Sequence, residues 1–210
     1  MEANLNNSHQ STPFSINILA AGMHPEDSNI ELWGDKRTKK VFFTQNGNTK
    51  PFSKLPHKYH VMLLEQMQND KVAFKEILKQ HGSALNGLEA YTFCKYGALD
   101  SSPDLSDDEL AKCENFLCNS QLPNPCACLK WKKITVRSNG NTLTTREIQL
   151  LELIGQKKSN KEITEIFNIS ENTLKTHRDN LHKKFKVQSE QELILEAVSD
   201  HIIQTQPKNI

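Results

Sequence analysis

Ser159-Asn-Lys-Glu-Ile-Thr-Glu-Ile-Phe167, Asn168-Ile169 and Ser170-Glu-Asn-Thr-Leu-Lys-Thr-His177 form the stretch whose reading decides the fold. Ser159 followed by Glu162 is a capping box, in which a hydroxyl and a carboxylate satisfy the free N–H groups at a helix start. The helix it opens buries Ile163, Ile166 and Phe167 on one side and has room for about two turns. Asn168 tolerates left-handed backbone at a helix end, so Asn168-Ile169 makes a tight turn. Ser170 then caps a longer helix. Leu174, Leu181 and Phe185 fall at spacings of seven and four, one buried line, leaving Lys175, Thr176, Arg178, Asp179 and His182 to face outward.

Working outward, Thr144 with Glu147 forms a capping box for an upstream helix carrying Ile148, Leu151 and Ile154, widened by Leu150 and Leu153 and ended at Gly155. Downstream, Ser189 with Glu192 opens a last helix with Leu193, Ile194, Ala197, Val198 and Ile202 as its apolar positions. A short helix, a tight turn and a longer basic helix make a helix-turn-helix, whose second member lies in the DNA major groove with its first residues at base edges. Between Ser170 and Lys186, Lys175, Arg178, Lys183, Lys184 and Lys186 stand against only Glu171 and Asp179, the local positive bias such a role needs.

Leu143-Thr-Thr-Arg-Glu147, Ser159-Asn-Lys-Glu-Ile163 and Ile169-Ser-Glu-Asn-Thr-Leu-Lys-Thr-His177 together closely resemble the LuxR/FixJ-type helix-turn-helix of transcriptional regulators. The resemblance implies that Ser159, Asn160 and Lys161 meet a phosphate at a helix N-terminus, where the free N–H groups and the helix dipole favour an anion. It implies that Thr173, Lys175, Thr176 and Arg178 face phosphates and base edges, with Lys183 near the backbone of double-stranded DNA. It further implies a homodimer on DNA through the last helix, with Leu195 and Ile202 pointing away from their own core. His177 reads as a packing residue at the rim.

Two positions depart from the family pattern. Lys186 stands where a glycine is usual, and a non-glycine residue in a left-handed helix stop costs on the order of 1 kcal/mol, which puts that helix end in question. Asp179 sits one turn beyond Lys175 and Thr176, where its charge repels phosphate but could accept from cytosine. An alternative use of the same helices is an adaptor that docks on RNA polymerase or another protein without specific DNA binding.

The fold class that follows is mainly α: a four-helix C-terminal domain at 143–204, preceded by a mixed, loop-rich, partly helical N-terminal region at 15–136. A polar, glycine-containing linker at 137–142 joins them, and the segments at 1–14 and 205–210 read as tails. With 36% hydrophobic and 24% charged residues and a formal charge of +1, the composition is that of a globular protein. No run of eighteen apolar residues or export signal is visible, so a cytoplasmic protein without membrane contact is expected. In the N-terminal region, Lys40 to Thr44 reads as a strand between turns at Asp35-Lys36-Arg37 and Asn46-Gly47-Asn48. Pro56 opens a helix bearing Tyr59, Met62, Leu63 and Met67, and a second carries Val72, Phe74, Ile77 and Leu78 to a stop at Gly82. No alternating strand-helix pattern of a phosphate-accepting receiver appears.

Five cysteines, Cys94, Cys113, Cys118, Cys126 and Cys128, fall in a loop-rich segment. Zinc takes four thiolates in a tetrahedron, so four of the five are metal-ligand candidates, with Cys126 or Cys128 the expected spare because a single intervening residue is tight for one metal. The spacing leaves structural zinc, an iron-sulfur or redox site and plain reduced thiols all open. There is no His-Glu-x-x-His, nucleophile elbow or Gly-rich phosphate loop, and no enzyme activity is expected.

Overall fold

Alternating burial in Lys40–Gln45 (β2), with Val41 and Phe43 inward, places this strand at the centre of a three-stranded antiparallel sheet between Glu31–Asp35 (β1) and Asn48–Pro51 (β3). The computed structural model describes residues 19–203, so the segments read as tails at 1–14 and 205–210 lie outside the described residues. Leu32 faces Phe43 across the first pair, and Gln45 faces Asn48 across a two-residue turn. Asn46 and Gly47 both take positive φ there, the backbone that a tight hairpin requires.

Three helices follow the sheet, α1 (His57–Asn69), α2 (Lys71–His81) and α3 (Ala84–Lys95), with α3 packed on β1 and β2 and the other two packed on α3. Asp70 separates the first two, its carboxylate accepting the Ala73 N–H, and Gly82 ends α2 in the left-handed region, as the sequence predicts. Gly87 allows α3 to approach α2, since a Cβ there would lie 2.2 Å from Ile77. Leu32, Phe43, Leu63, Met67, Ile77, Leu88, Tyr91 and Tyr96 fill this first core. Between α3 and residue 144 the chain holds only the short hairpin Leu105–Ser106 (β4) and Glu109–Leu110 (β5) and a 3-10 turn at Ala127–Lys130 as named elements. The expectation of a loop-rich, cysteine-bearing segment agrees with this.

A second core gathers α4 (Thr145–Gly155), α5 (Asn160–Phe167), α6 (Glu171–Phe185) and α7 (Glu190–Ser199). Leu117, Ile134 and Val136 join it from upstream of the domain boundary read in the sequence. The segment 137–142 is a docked turn rather than a free linker: Thr135 bridges Thr142, and the Val136 N–H donates to Asn141 O at 2.9 Å. The side-chain amides of Asn139 and Asn141 donate to Lys184 O, at 2.8 and 2.9 Å, satisfying a carbonyl in the last turn of α6. The small polar residues that suggested flexibility serve as hydrogen-bond donors.

The two cores meet where carboxylates of Glu31, Asp100 and Glu114 converge within 4.8 Å. Burial pushes Glu31 up to about 9 and Glu114 up to about 7, and raises Asp104 well above the usual carboxylate range. From the second core, Arg137 approaches Asp100 at 3.7 Å and His201 approaches it at 3.8 Å. Among the described residues, no helix is long and apolar enough to cross a membrane.

Candidate nucleic-acid interface

Local chemistry positions each helix of this surface. Capping boxes at Thr144/Glu147, Ser159/Glu162 and Ser189/Glu192 are all formed, and the Ser170 hydroxyl accepts the Thr173 N–H. Asn168, at φ 51 and ψ 53, is the left-handed residue that turns α5 into α6. Leu174, Leu181 and Phe185 bury one stripe of α6 against Ile163, Phe167 and Leu193 in a shared core. The opposite side, bearing Thr173, Lys175, Thr176, Asp179 and Lys183, is exposed. His177 is half-buried at its edge, consistent with packing.

The start of α5 is partly occupied. Glu162 accepts the Ser159 N–H at 2.8 Å and its hydroxyl at 2.9 Å, and pairs with Lys158 at 2.8 Å. Lys158, followed by Ser159, pulls the Glu162 carboxyl down to about 2. A carboxylate therefore sits beside the place expected for a phosphate, and the first-turn N–H groups left over belong to Asn160 and Lys161, which lack intrahelical partners. Both side chains are exposed.

Arg178 is placed differently from the outward orientation expected of it. It is four residues after Leu174, hence on the inner flank of α6, and is half-buried. Its guanidinium pairs with Glu190 at the start of α7 and donates to Asn160 Oδ1 at 3.0 Å, linking α5, α6 and α7. The neighbouring lysines also divide. Lys184 bonds Thr142 O and the buried Glu147 carboxylate, each at 2.8 Å, whereas Lys161, Lys175, Lys183 and Lys186 are exposed and make no ion pair among the described residues. Lys186 does adopt the left-handed stop, at φ 58 and ψ 39, so the helix ends on the usual geometry despite lacking glycine.

On α7, Leu195 is 70% exposed, but Ile202 is only 1% exposed. The expectation that both point away from their own core fails for Ile202. The helix stops at Ser199, His201 takes a left-handed turn, and Ile202 folds back under α7 with its N–H on Ala197 O.

The cysteines are brought together selectively. Sulfurs of Cys118, Cys126 and Cys128 lie within 4.8 Å of one another, the Cys118 thiol donates to Cys126 at 3.5 Å, and Cys94 packs against the core that buries Cys118 and Cys128. Cys113 is exposed and instead donates to the Tyr96 hydroxyl at 3.6 Å. The three-sulfur group leaves out Cys94 and Cys113 and contains both Cys126 and Cys128, one of which the spacing suggested was spare. The 3-10 turn allows both to face one point across a single residue.

The geometry at 143–203 defines a four-helix helix-turn-helix domain. Residues 141–197 match the family described as bacterial regulatory proteins, luxR family, and this part of the chain is a helix-turn-helix domain of that family. The chain is similar to the uncharacterized response regulatory protein YgeK of Escherichia coli (strain K12), 46% identical over 68 residues, or 32% of this chain and 46% of that protein. It is similar to the transcriptional regulatory protein MctR of Rhizobium johnstonii, 40% identical over 68 residues that cover 32% of each. The nitrate/nitrite response regulator protein NarL of Escherichia coli (strain K12) is 36% identical over 76 residues, 36% of this chain and 35% of that protein. The matches thus span less than half of these relatives. No solved structure matches the chain significantly.

Proposed function

We propose that this chain is a DNA-binding transcriptional regulator that lays α6 in the major groove. The observation that carries this reading is the exposed polar face of α6, built from Thr173, Lys175, Thr176 and Lys183, held at a fixed angle to α5 by a left-handed turn within a luxR-family domain. Lys175 and Thr176 lie in the first two turns, where base edges are reached, and Lys183 lies further along beside the phosphate backbone. Asn160 and Lys161 supply the second backbone anchor at the start of α5. Arg178 acts from behind, fixing Asn160 and α7, so it positions the contact surface.

A homodimer on DNA is part of the proposal, with Leu195 as the exposed apolar centre of the α7 face. The experiment is a genome-wide map of bound sites followed by titration of the recovered fragments with purified full-length protein at several salt concentrations. Specific fragments binding at least about a thousandfold more tightly than scrambled ones, with affinity falling steeply with salt, supports the proposal. Binding that does not distinguish the fragments, or no binding at low salt, overturns it in favour of a protein-docking role for these helices.

A further inference from the structure

We infer that Cys94, Cys118, Cys126 and Cys128 form a four-thiolate zinc site that clamps the cysteine-bearing segment onto α3, and that Cys113 is excluded from it. The four residues come from three places: Cys94 from α3, Cys118 from the loop after β5, and Cys126 and Cys128 from the edge of the 3-10 turn. A zinc ion bound at about 2.3 Å to each of four sulfurs holds them about 3.8 Å apart. The separations among Cys118, Cys126 and Cys128, from 3.5 Å to no more than 4.8 Å, bracket that value, and Cys94, packed from α3 against the core that buries Cys118 and Cys128, would supply the fourth sulfur. An S–S bond needs about 2.05 Å, well inside the Cys118–Cys126 separation. An iron-sulfur cluster interposes several iron and sulfide atoms between its ligands, and thiolates this close leave room for one ion only.

The surroundings suit a zinc tetrathiolate, which carries a net charge of −2. Lys132 is 4% exposed and makes no ion pair among the described residues; its ammonium donates to the carbonyls of Cys94 and Phe116, beside the sulfurs of Cys94 and Cys128. Lys36 lines the same cavity as Cys118, and the Lys39 ammonium donates to Cys118 O at 3.3 Å. The Glu114 carboxylate lies near the buried Lys132 ammonium without contacting it, and a metal-bound thiolate group would add a second offsetting anion. Phe116 and Trp131, both buried in the same core, wall the site from water.

The segment from Cys113 to Trp131 has no strand and one short 3-10 turn, so little regular backbone pairing holds it. A metal bound by residues on both sides supplies the missing cross-links. The test uses full-length protein purified without chelators. Elemental analysis should find about one zinc per chain. A thiol reagent should react rapidly with one cysteine, Cys113, and with all five after zinc is chelated. Cys113→Ser should keep its zinc, whereas Ser at Cys94, Cys118, Cys126 or Cys128 should lose most of it. Because such variants could misfold, the wild-type protein reconstituted with cobalt provides a second readout, the charge-transfer and intense visible bands of a tetrahedral tetrathiolate. Wild-type protein with no zinc and five fast thiols, iron in place of zinc, a Cys118–Cys126 disulfide, or loss of metal in Cys113→Ser would each overturn the inference.

Discussion

Replacing Lys186 by glycine should stabilise the protein, although it removes a cation from the proposed DNA surface. Lys186 holds φ 58 and ψ 39, and its N–H and that of Val187 both donate to His182 O, so the left-handed turn closes α6. For a residue with a Cβ this conformation costs about 1 kcal/mol relative to glycine, and the exposed lysine side chain makes no ion pair among the described residues to offset it. Lys186→Gly is expected to raise stability by about 1 kcal/mol, or the melting temperature by about 2–4 °C for a chain of this size. Lys186→Ala removes the same charge while keeping the Cβ, and should change stability by less than about 0.5 kcal/mol. Urea denaturation followed by circular dichroism measures both. If the ammonium touches phosphate, both variants should flatten the salt dependence of DNA binding equally, by about 0.9 log unit. Equal stability of the glycine and alanine variants would refute the strain attributed to this turn.

Lys175→Ala should weaken specific DNA binding and lower the salt slope by about 0.9 log unit at unchanged stability. Lys184→Ala should instead lose about 1–3 kcal/mol of stability, because it leaves the buried Glu147 carboxylate without its ammonium partner; an unchanged slope for the first or full stability for the second would reverse these assignments. Leu195→Lys should preserve the melting temperature but abolish two-to-one binding on a palindromic site, whereas Ile202→Lys should cost upwards of about 3 kcal/mol by putting a charge into the second core. The raised acids set a pH dependence: Glu31 near 9 and Glu114 near 7 bind protons more tightly in the folded state, so the stability these two groups contribute is full below about pH 4.5 and is lost as pH rises through 7 and then 9. Glu31→Gln should recover on the order of 2 kcal/mol at pH 9 and little at pH 5, which urea titrations at the two pH values will measure, and a wild type more stable at pH 9 than at pH 5 would contradict the burial argument.

Most of the second core was legible because its signals are local. A hydroxyl and a carboxylate three residues apart mark a helix start wherever they occur, and the boxes at Thr144, Ser159 and Ser189 all formed. What depends on distant partners was not legible. Arg178 reads as a DNA contact from the family resemblance, but Glu190 and Asn160 claim its guanidinium, and its spacing from Leu174 places it on the inner flank. Ile202 reads as part of the last helix until His201 breaks it. The grouping of Cys118 with Cys126 and Cys128 depends on how the loop after β5 folds back on the 3-10 turn, which spacing does not encode. The sheet before α1 was read only as its central strand, because pairing partners are fixed by register and not by propensity.

The two cores are joined by polar contacts as well as by the docked turn at 137–142, and these contacts suggest how one half could influence the other. Gln121, three residues after Cys118, donates its N–H to Glu152 of α4 at 2.9 Å, Ser120 donates its hydroxyl to the same carboxylate at 3.0 Å, and the Gln149 amide donates to Gln121 O at 2.9 Å. On the other side of the junction, Asp100 faces Arg137 and His201, and Asp200 accepts the Arg137 N–H at 2.8 Å. Whatever orders residues 118–121 therefore also fixes the face of α4 opposite the proposed DNA surface. Glu152→Ser would cut the bonds from Gln121 and Ser120 without touching a cysteine or an α6 residue. If the junction transmits the state of the cysteine segment, that variant should uncouple DNA affinity from zinc removal while leaving the zinc content intact. If chelation changes affinity equally in the variant and the wild type, the Glu152 contacts do not carry the coupling.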